Sequence, residues 1–241
     1  MGLLDNQVVI VTGAGQGLGK AIALEFAQEG ATVALLERNP DTAEEVRQQI
    51  ASAGGNSRSF VLDITDYDAY AGVIKELIAW KGKIDVLVNN AAVALYGTIL
   101  NDTLENWRTQ IAVNLEAVYM GSKLVAPHMV ERNYGRIISI ASIQGFAASG
   151  DAGPYNAAKG GIIAYTKSMA VELGRYNILV NAVAPGFMRT PMSFVNDVDE
   201  TTTPDFIEWY VNRGKVPLRR TGLPEDVSGT VVFLASSYCR I

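Results

Sequence analysis

Val8-Val9-Ile10-Val11-Thr12-Gly13-Ala14-Gly15-Gln16-Gly17-Leu18-Gly19 reads as a strand, a glycine turn and the start of a helix. Its first five residues are apolar up to a terminal threonine, the pattern of a strand buried on both faces. A glycine-rich turn follows without a linker. From Gly17 to Gln28 the period then changes to that of a helix, with Leu18, Ala21, Ile22 and Phe26 on one face. A strand running through glycines into a helix brings backbone close to whatever binds there. The helix N-terminus adds free N–H groups and a favourable dipole, which together suit the pyrophosphate of a dinucleotide. No Gly-Lys-Ser/Thr ends the turn, so it is not a P-loop.

Outward from this unit the same alternation continues. Strands are expected at Thr32–Leu36, Ser59–Leu62, Ile84–Val88, Ile137–Ile140 and Leu179–Val183. Helical sequence separates them at Ala43–Ala53, Tyr67–Lys81, around Leu104–Arg132, and at Tyr155–Leu173. Solid Val/Ile/Leu strands alternating with helices predict an α/β fold, a doubly wound parallel sheet covered on both faces. No linker, repeat or low-complexity tract interrupts the pattern, so residues 1–241 are expected to form a single domain. The stretch from Gly186 to Arg220 departs from the alternation, apart from a short helical piece near Pro204–Arg213. Residues 187–215 are expected to act as a substrate lid.

Composition removes whole classes of function. Of 241 residues 49% are hydrophobic and 19% charged, which is far from the composition of a disordered chain. The net charge of −5 offers no footprint for a nucleic-acid backbone. One cysteine, Cys239, and one histidine, His128, exclude an internal disulfide and a Cys/His zinc cluster, and no metal is expected. His128 and Cys239 are read as structural. No run of 18 apolar residues suggests a membrane span, and the N-terminus carries no basic leader and no myristoylation pattern. The expectation is a cytoplasmic protein with neither membrane nor nucleic-acid partner.

Two further features carry chemistry. Glu37 ends the second strand, 20 residues after Gly17, where a carboxylate can accept hydrogen bonds from both ribose hydroxyls and repel a 2′-phosphate. Arg38 beside it could instead pair with that phosphate. NAD is therefore expected ahead of NADP. Tyr155 and Lys159 stand four apart at the start of a helical run, one turn apart on one face. An ammonium beside a phenol should lower its pKa from about 10 toward working pH, making a general acid/base for carbonyl/alcohol interconversion. Ser142, just past a strand end, could polarise the same substrate oxygen.

With these residues in place the chain resembles the short-chain dehydrogenase/reductases over nearly its whole length, which implies a Rossmann-type sheet. Thr12-Gly13-x-x-x-Gly17-x-Gly19 looks like the family's cofactor turn, Asp63 like its adenine-binding acid, and Asn89-Asn90-Ala91-Ala92 like its strand end against the cofactor. Asn114, Ser142, Tyr155 and Lys159 match its catalytic tetrad. Pro185-Gly186 with Thr190 matches the segment gripping the nicotinamide amide. By that resemblance Gln16, Leu18, Ile64 and Met188 join the cofactor contacts. Tyr155 would exchange the hydroxyl proton while a hydride passes to or from the nicotinamide. Ser142 would hold the substrate oxygen, Lys159 would lower the Tyr155 pKa and bond the ribose, and Asn114 would support a water chain.

Glu37 suggests NAD, and NAD pools usually favour oxidation, so a secondary alcohol or a sugar/polyol hydroxyl is the expected substrate; a homo-oligomer, tetramer or dimer, is the expected assembly. Val93, Ala94, Tyr96 and Gln144 should line the substrate side, with Met188, Met192, Phe194, Phe206 and Trp209 from the lid, and Arg189 could meet an anionic group. The alternatives are a 3-oxoacyl-carrier reductase and a non-catalytic dinucleotide binder. Against the carrier reading, Asn133 and Tyr176 occupy the positions where that group has its arginine pair, although Arg132 and Arg175 are adjacent. Family members usually continue beyond Leu234-Ala235-Ser236, so the last edge strand is expected to be missing.

Overall fold

The computed structural model describes residues 2–195 and 197–240. Asn196, inside the expected lid, lies outside the described residues. Six parallel strands form the sheet: β1 (Val8–Thr12), β2 (Thr32–Glu37), β3 (Asn56–Val61), β4 (Val86–Asn89), β5 (Gly135–Ile140) and β6 (Ile178–Val183). Their spatial order is β3-β2-β1-β4-β5-β6. The chain winds outward from β1 to β3, returns to the middle at β4, and winds the other way to β6. The crevice beyond the C-terminal ends of β1 and β4 is thus the switch point of the sheet, where open α/β sheets bind ligands.

The two-residue period of each strand builds two cores. Val9, Val11, Val33, Leu35, Val86 and Val88 point to one face, beneath α1 (Gly17–Gln28), α2 (Pro40–Ser52) and α8 (Glu225–Ala235). Val8, Ile10, Ala34, Leu36 and Leu87 point to the other. There they meet α3 (Tyr67–Lys81), the continuous run α4 (Leu104–Ile111) and α5 (Ala117–Arg132), and α6 (Gly153–Leu173).

Most departures from expectation lie at edges and caps. Helix α2 begins at Pro40 rather than Ala43, because the Asn39 side chain accepts hydrogen bonds from the Asp41 and Thr42 amides and Pro40 suits the first helical position. Strand β3 starts at Asn56, its first half written in polar residues because it is a sheet edge. Strand β4 is shifted, starting at Val86 and reaching Asn89. The expected run Leu104–Arg132 is helical but broken by a π-helical turn at Ala112–Glu116. Helix α8 was not expected. Gly229 and the β-branched run Thr230-Val231-Val232 after it hide it, while Pro224, Glu225 and Asp226 mark its start. Among the described residues β3 and β6 are the edges of the large sheet.

Between β6 and α8 the chain crosses the crevice as short pieces. A hairpin pairs β7 (Phe194–Val195) with β8 (Val198–Asp199), and the short helix α7 (Pro204–Phe206) runs into a π-helical stretch, Ile207–Asn212. Phe187, Phe206 and Tyr210 stack on one another with ring centroids 4.4–5.3 Å apart, which folds the segment back on its own root. A two-way backbone pairing ties that root down: Arg189 donates its N–H to Gly222, and Gly222 donates to Phe187.

Candidate active site

A cavity of about 390 Å³ occupies the crevice, within the size range of small-molecule sites. At one end lies the glycine turn. Gly13 has φ of +62°, and a Cβ there would stand 2.9 Å from the Ala91 Cα, so the β1 turn and the β4 end close on each other through glycine. Asn90 fixes this approach by donating its side-chain amide to the carbonyls of Thr12 and Gly13. Thr12, the first residue of the expected cofactor turn, accepts from the amides of Asn90 and Ala91 through its hydroxyl. Helix α1 starts at the cavity with no side-chain cap at Gln16 and no acid in its first turn. Its first amides are thus left to a ligand, and an anion is the complement of that end. These residues fit the pyrophosphate of a nicotinamide dinucleotide.

Glu37, Arg38, Asp63 and Ile64 line the far end. The Glu37 carboxylate accepts N–H groups from Gly15, Arg38 and Asn39, which holds it at the rim of the cavity. Asp63 accepts both the amide and the hydroxyl of Thr65. The backbone bond from Thr65, then its hydroxyl and the charge of Arg38, lower the Asp63 pKa.

The other end holds Ser142, Tyr155 and Lys159. Ser142 caps the short turn Ile143–Gly145, accepting the Gln144 amide. That turn presses on α6: a Cβ at Gly145 would fall 2.9 Å from the Lys159 carbonyl. The close approach sets Ser142 beside Tyr155, near enough for its hydroxyl to favour the phenolate. Lys159 is buried, its Nζ donating to the Ile140 carbonyl at 2.7 Å and lying 5.5 Å from the centre of the Tyr155 ring.

The expected lowering of the Tyr155 pKa is not found. Burial raises it, and the neighbouring Ser142 hydroxyl opposes the rise only in part. Burial also pushes the Lys159 ammonium down to about 8. Both groups lose water in one enclosure, and the ammonium is turned toward a carbonyl rather than the phenol oxygen.

All the expected site residues line the cavity except Gly19, Asn114 and Arg189. Gly19 is a packing glycine, since a Cβ there would meet the Gly13 carbonyl oxygen at 2.0 Å. The Asn114 side chain is spent on the backbone of Val93, accepting its N–H and donating to its carbonyl at 2.9 Å. Four residues earlier Gln110 brackets Leu95 in the same way. The π-helical turn and α4 thereby hold the loop after β4 like a neighbouring strand, a role visible only as two amides four apart. Arg189 donates to the buried Asp199 at 2.7 Å instead of facing a substrate.

On the substrate side Val93, Ala94, Tyr96 and Gln144 line the cavity, with Met188, Met192 and Phe206 from the crossing segment. Phe194 and Trp209 are exposed and do not; the Trp209 ring instead carries Arg213 and Lys215 over it. Glu200 and Thr201, inside the expected lid but not named individually in it, line the cavity as well.

Residues 7–200 match the family model for short chain dehydrogenase. A 3-oxoacyl-[acyl-carrier-protein] reductase of Thermotoga maritima is 36% identical over 97% of this chain and 92% of its own. A (2S)-[(R)-hydroxy(phenyl)methyl]succinyl-CoA dehydrogenase subunit of Thauera aromatica is 35% identical over 96% of this chain and 90% of its own. Among solved structures, a putative NAD(P)-dependent gluconate 5-dehydrogenase from Beutenbergia cavernae with bound NADP superposes with a TM-score of 0.88, at 34% identity, covering 97% of this chain and 90% of that one. The matched span takes in the glycine turn, the Ser142/Tyr155/Lys159 cluster and the first half of the crossing segment. This chain belongs to the short chain dehydrogenase family of nicotinamide-dependent oxidoreductases.

Proposed function

We propose that this oxidoreductase interconverts a secondary alcohol, or a sugar/polyol hydroxyl, and the matching ketone, with NAD preferred over NADP. The observation that carries the reading is the meeting of Ser142, Tyr155 and Lys159 in the cavity that the glycine turn opens. When bound, the nicotinamide supplies hydride transfer. The chain supplies the rest. Ser142 and Tyr155 converge on one point and orient the substrate oxygen between two hydroxyls. Tyr155 moves the hydroxyl proton, as general base in oxidation and general acid in reduction. With its pKa raised, the phenol keeps its proton at neutral pH, so oxidation should accelerate with rising pH while reduction slows. Asn114 contributes by holding Val93 in the cavity wall. The crossing segment from Phe187 serves as the lid.

Gly13, Gln16, Gly17 and Leu18 would hold the pyrophosphate, Glu37 the adenosine ribose, Asp63 and Ile64 the adenine, and Asn90 and Ala91 the second ribose. Pro185, Gly186, Met188 and Thr190 would hold the nicotinamide. The preference for NAD is supported by Glu37, whose carboxylate stands at the cavity rim where a 2′-phosphate would lie. Exposed apolar residues on α4 and α6, Leu104, Trp107 and Val171, support a homo-oligomer.

The test is NAD reduction against a panel of alcohols and polyols. Tyr155→Phe should remove turnover while leaving cofactor affinity nearly unchanged; surviving activity would overturn the mechanism. Equal NAD and NADP affinity in the wild type, or no change in their ratio in Glu37→Ala, would overturn the cofactor preference.

The second reading, a 3-oxoacyl-carrier reductase, is favoured by the name of the Thermotoga relative. Against it, Arg132 is committed to the sheet, donating to the Ile84 carbonyl and the buried Asp85. Arg175 lies over the Tyr176 ring. Reduction of a 3-oxoacyl thioester with NADPH, faster than any alcohol oxidation, would decide for the carrier reading.

A further inference from the structure

Charge is unevenly placed along the cavity. The cations that line it are Arg38, beside Asp63 at the adenosine end, and Lys159, buried beside the Tyr155 ring at the catalytic centre. On the substrate side the lining charge is Glu200, the one carboxylate of the crossing segment that reaches the cavity among the described residues. Its own backbone carbonyl is used in holding Thr203, while its carboxylate has no ion-pair or hydrogen-bond partner among the described residues. Tyr96 lines the cavity between it and the chemistry, close enough to feel Glu200 on one side and near Tyr155 on the other. Asp151, across the loop pairing of Gly97 with Ala152, adds a second negative charge near the same ring. Arg189, the nearest cation in sequence, is neutralised by the buried Asp199.

We infer that Glu200 is the charge-selecting residue of the substrate subsite, which takes neutral polyhydroxyl or amine-bearing chains and rejects those ending in a carboxylate or phosphate. The inference rests on the alcohol-oxidoreductase reading and narrows its substrate class. A free carboxylate accepts hydrogen bonds from a hydroxyl or an ammonium, whereas an anionic end group would meet repulsion with no facing cation to offset it. Glu200 is exposed to water at the mouth, so the effect is screened and moderate.

Three six-carbon ligands isolate the charge: glucamine, sorbitol and gluconate, cationic, neutral and anionic at one end of a similar chain. Their affinities for the NAD-saturated protein, measured by calorimetry, should rank glucamine at or above sorbitol and sorbitol above gluconate. Each unit of charge should change affinity by about three- to tenfold, with the spread shrinking in added salt. Glu200→Gln should bring the three within about twofold, and Glu200→Lys should invert the order. Unchanged melting temperatures would verify that both variants fold. Gluconate binding as tightly as sorbitol in the wild type, an unchanged spread in Glu200→Gln, or no binding by any of the three would overturn the inference. Turnover of alcohols that Tyr155→Phe abolishes would uphold the oxidoreductase reading whatever this series gives. Conversely, an intact charge ranking in a protein that oxidises no alcohol would sink that reading alone.

Discussion

The two ends of the sheet treat buried charge in opposite ways. Below the N-terminal strand ends, the Asp85 carboxylate is fully enclosed and fully answered, accepting the Val8 amide and pairing with Lys83 and Arg132 at 2.7–2.8 Å. Above the C-terminal ends, Lys159 is just as enclosed, yet a single carbonyl answers it and no carboxylate approaches within ion-pair distance among the described residues. The lower cluster is a finished joint between β1, β4 and α5. The upper one leaves a charge unbalanced, which costs stability and keeps the group available to a ligand. This fold stores its reactivity above the C-terminal strand ends.

Replacing each group should therefore have opposite consequences. The largest is catalytic: Lys159→Met should lower turnover by about 10²- to 10⁴-fold, read as initial rates of NAD reduction. Next comes Asp85→Ala, which should destabilise by about 2–3 kcal/mol in urea unfolding. Lys83 and Arg132 are each about a third exposed and keep water once the carboxylate is gone, which moderates the loss. The Val8 amide would lose its acceptor, and turnover per folded molecule should be unchanged.

The third effect has the reverse sign, for the same Lys159→Met protein should be more stable than the wild type at neutral pH. The Lys159 pKa of about 8 in the fold, against 10.5 ordinarily, means that folding must carry a proton into an unfavourable place. That costs on the order of 3 kcal/mol, and losing the bond to Ile140 takes back about 1, leaving about 2. Between pH 8 and 10.5 the unfolded chain holds a proton that the folded chain has released, so raising the pH favours the wild-type fold there. The advantage of the variant should shrink across that window. Unfolding curves at pH 7, 9 and 10.5 that stay parallel would show that Lys159 carries no such burden.

The contrast also explains what could be read in advance. Strands written in Val and Ile, the glycine turn and the Tyr155/Lys159 spacing are local patterns with one physical meaning each, and they led directly to the sheet and to the cavity floor. Helix α8 escaped because β-branched residues and Gly229 blur its period. The mutual amide brackets of Gln110 and Asn114 escaped because their partners lie 15 and 21 residues away in an irregular loop. The direction of the Tyr155 shift came out reversed, since spacing reports which residues are neighbours but neither how much water each loses nor where an ammonium points. The substrate side was least legible. Residues 187–213 meet the cavity through turns rather than periodic elements, so nothing in the order Met188, Met192, Phe194 and Trp209 told which would face in.

That segment supplies the smallest expected effect. Asp199 is its anchor: it accepts the Thr201 amide and hydroxyl and the Ser193 hydroxyl, and only then the Arg189 guanidinium, whose side chain is 58% exposed. Removing Arg189 leaves the carboxylate with its other donors, so global stability should fall by less than about 1 kcal/mol. The pairing nonetheless joins the root of the segment to the hairpin end. Its loss should free the stretch between Thr190 and Asp199 locally, well before the sheet unfolds. Arg189→Ala should thus show faster hydrogen exchange and proteolysis confined to that stretch, with the strand amides of β1, β4 and β5 unaffected. Faster exchange throughout the sheet would mean that the segment is part of the folded core rather than a separately opening cover over the cavity.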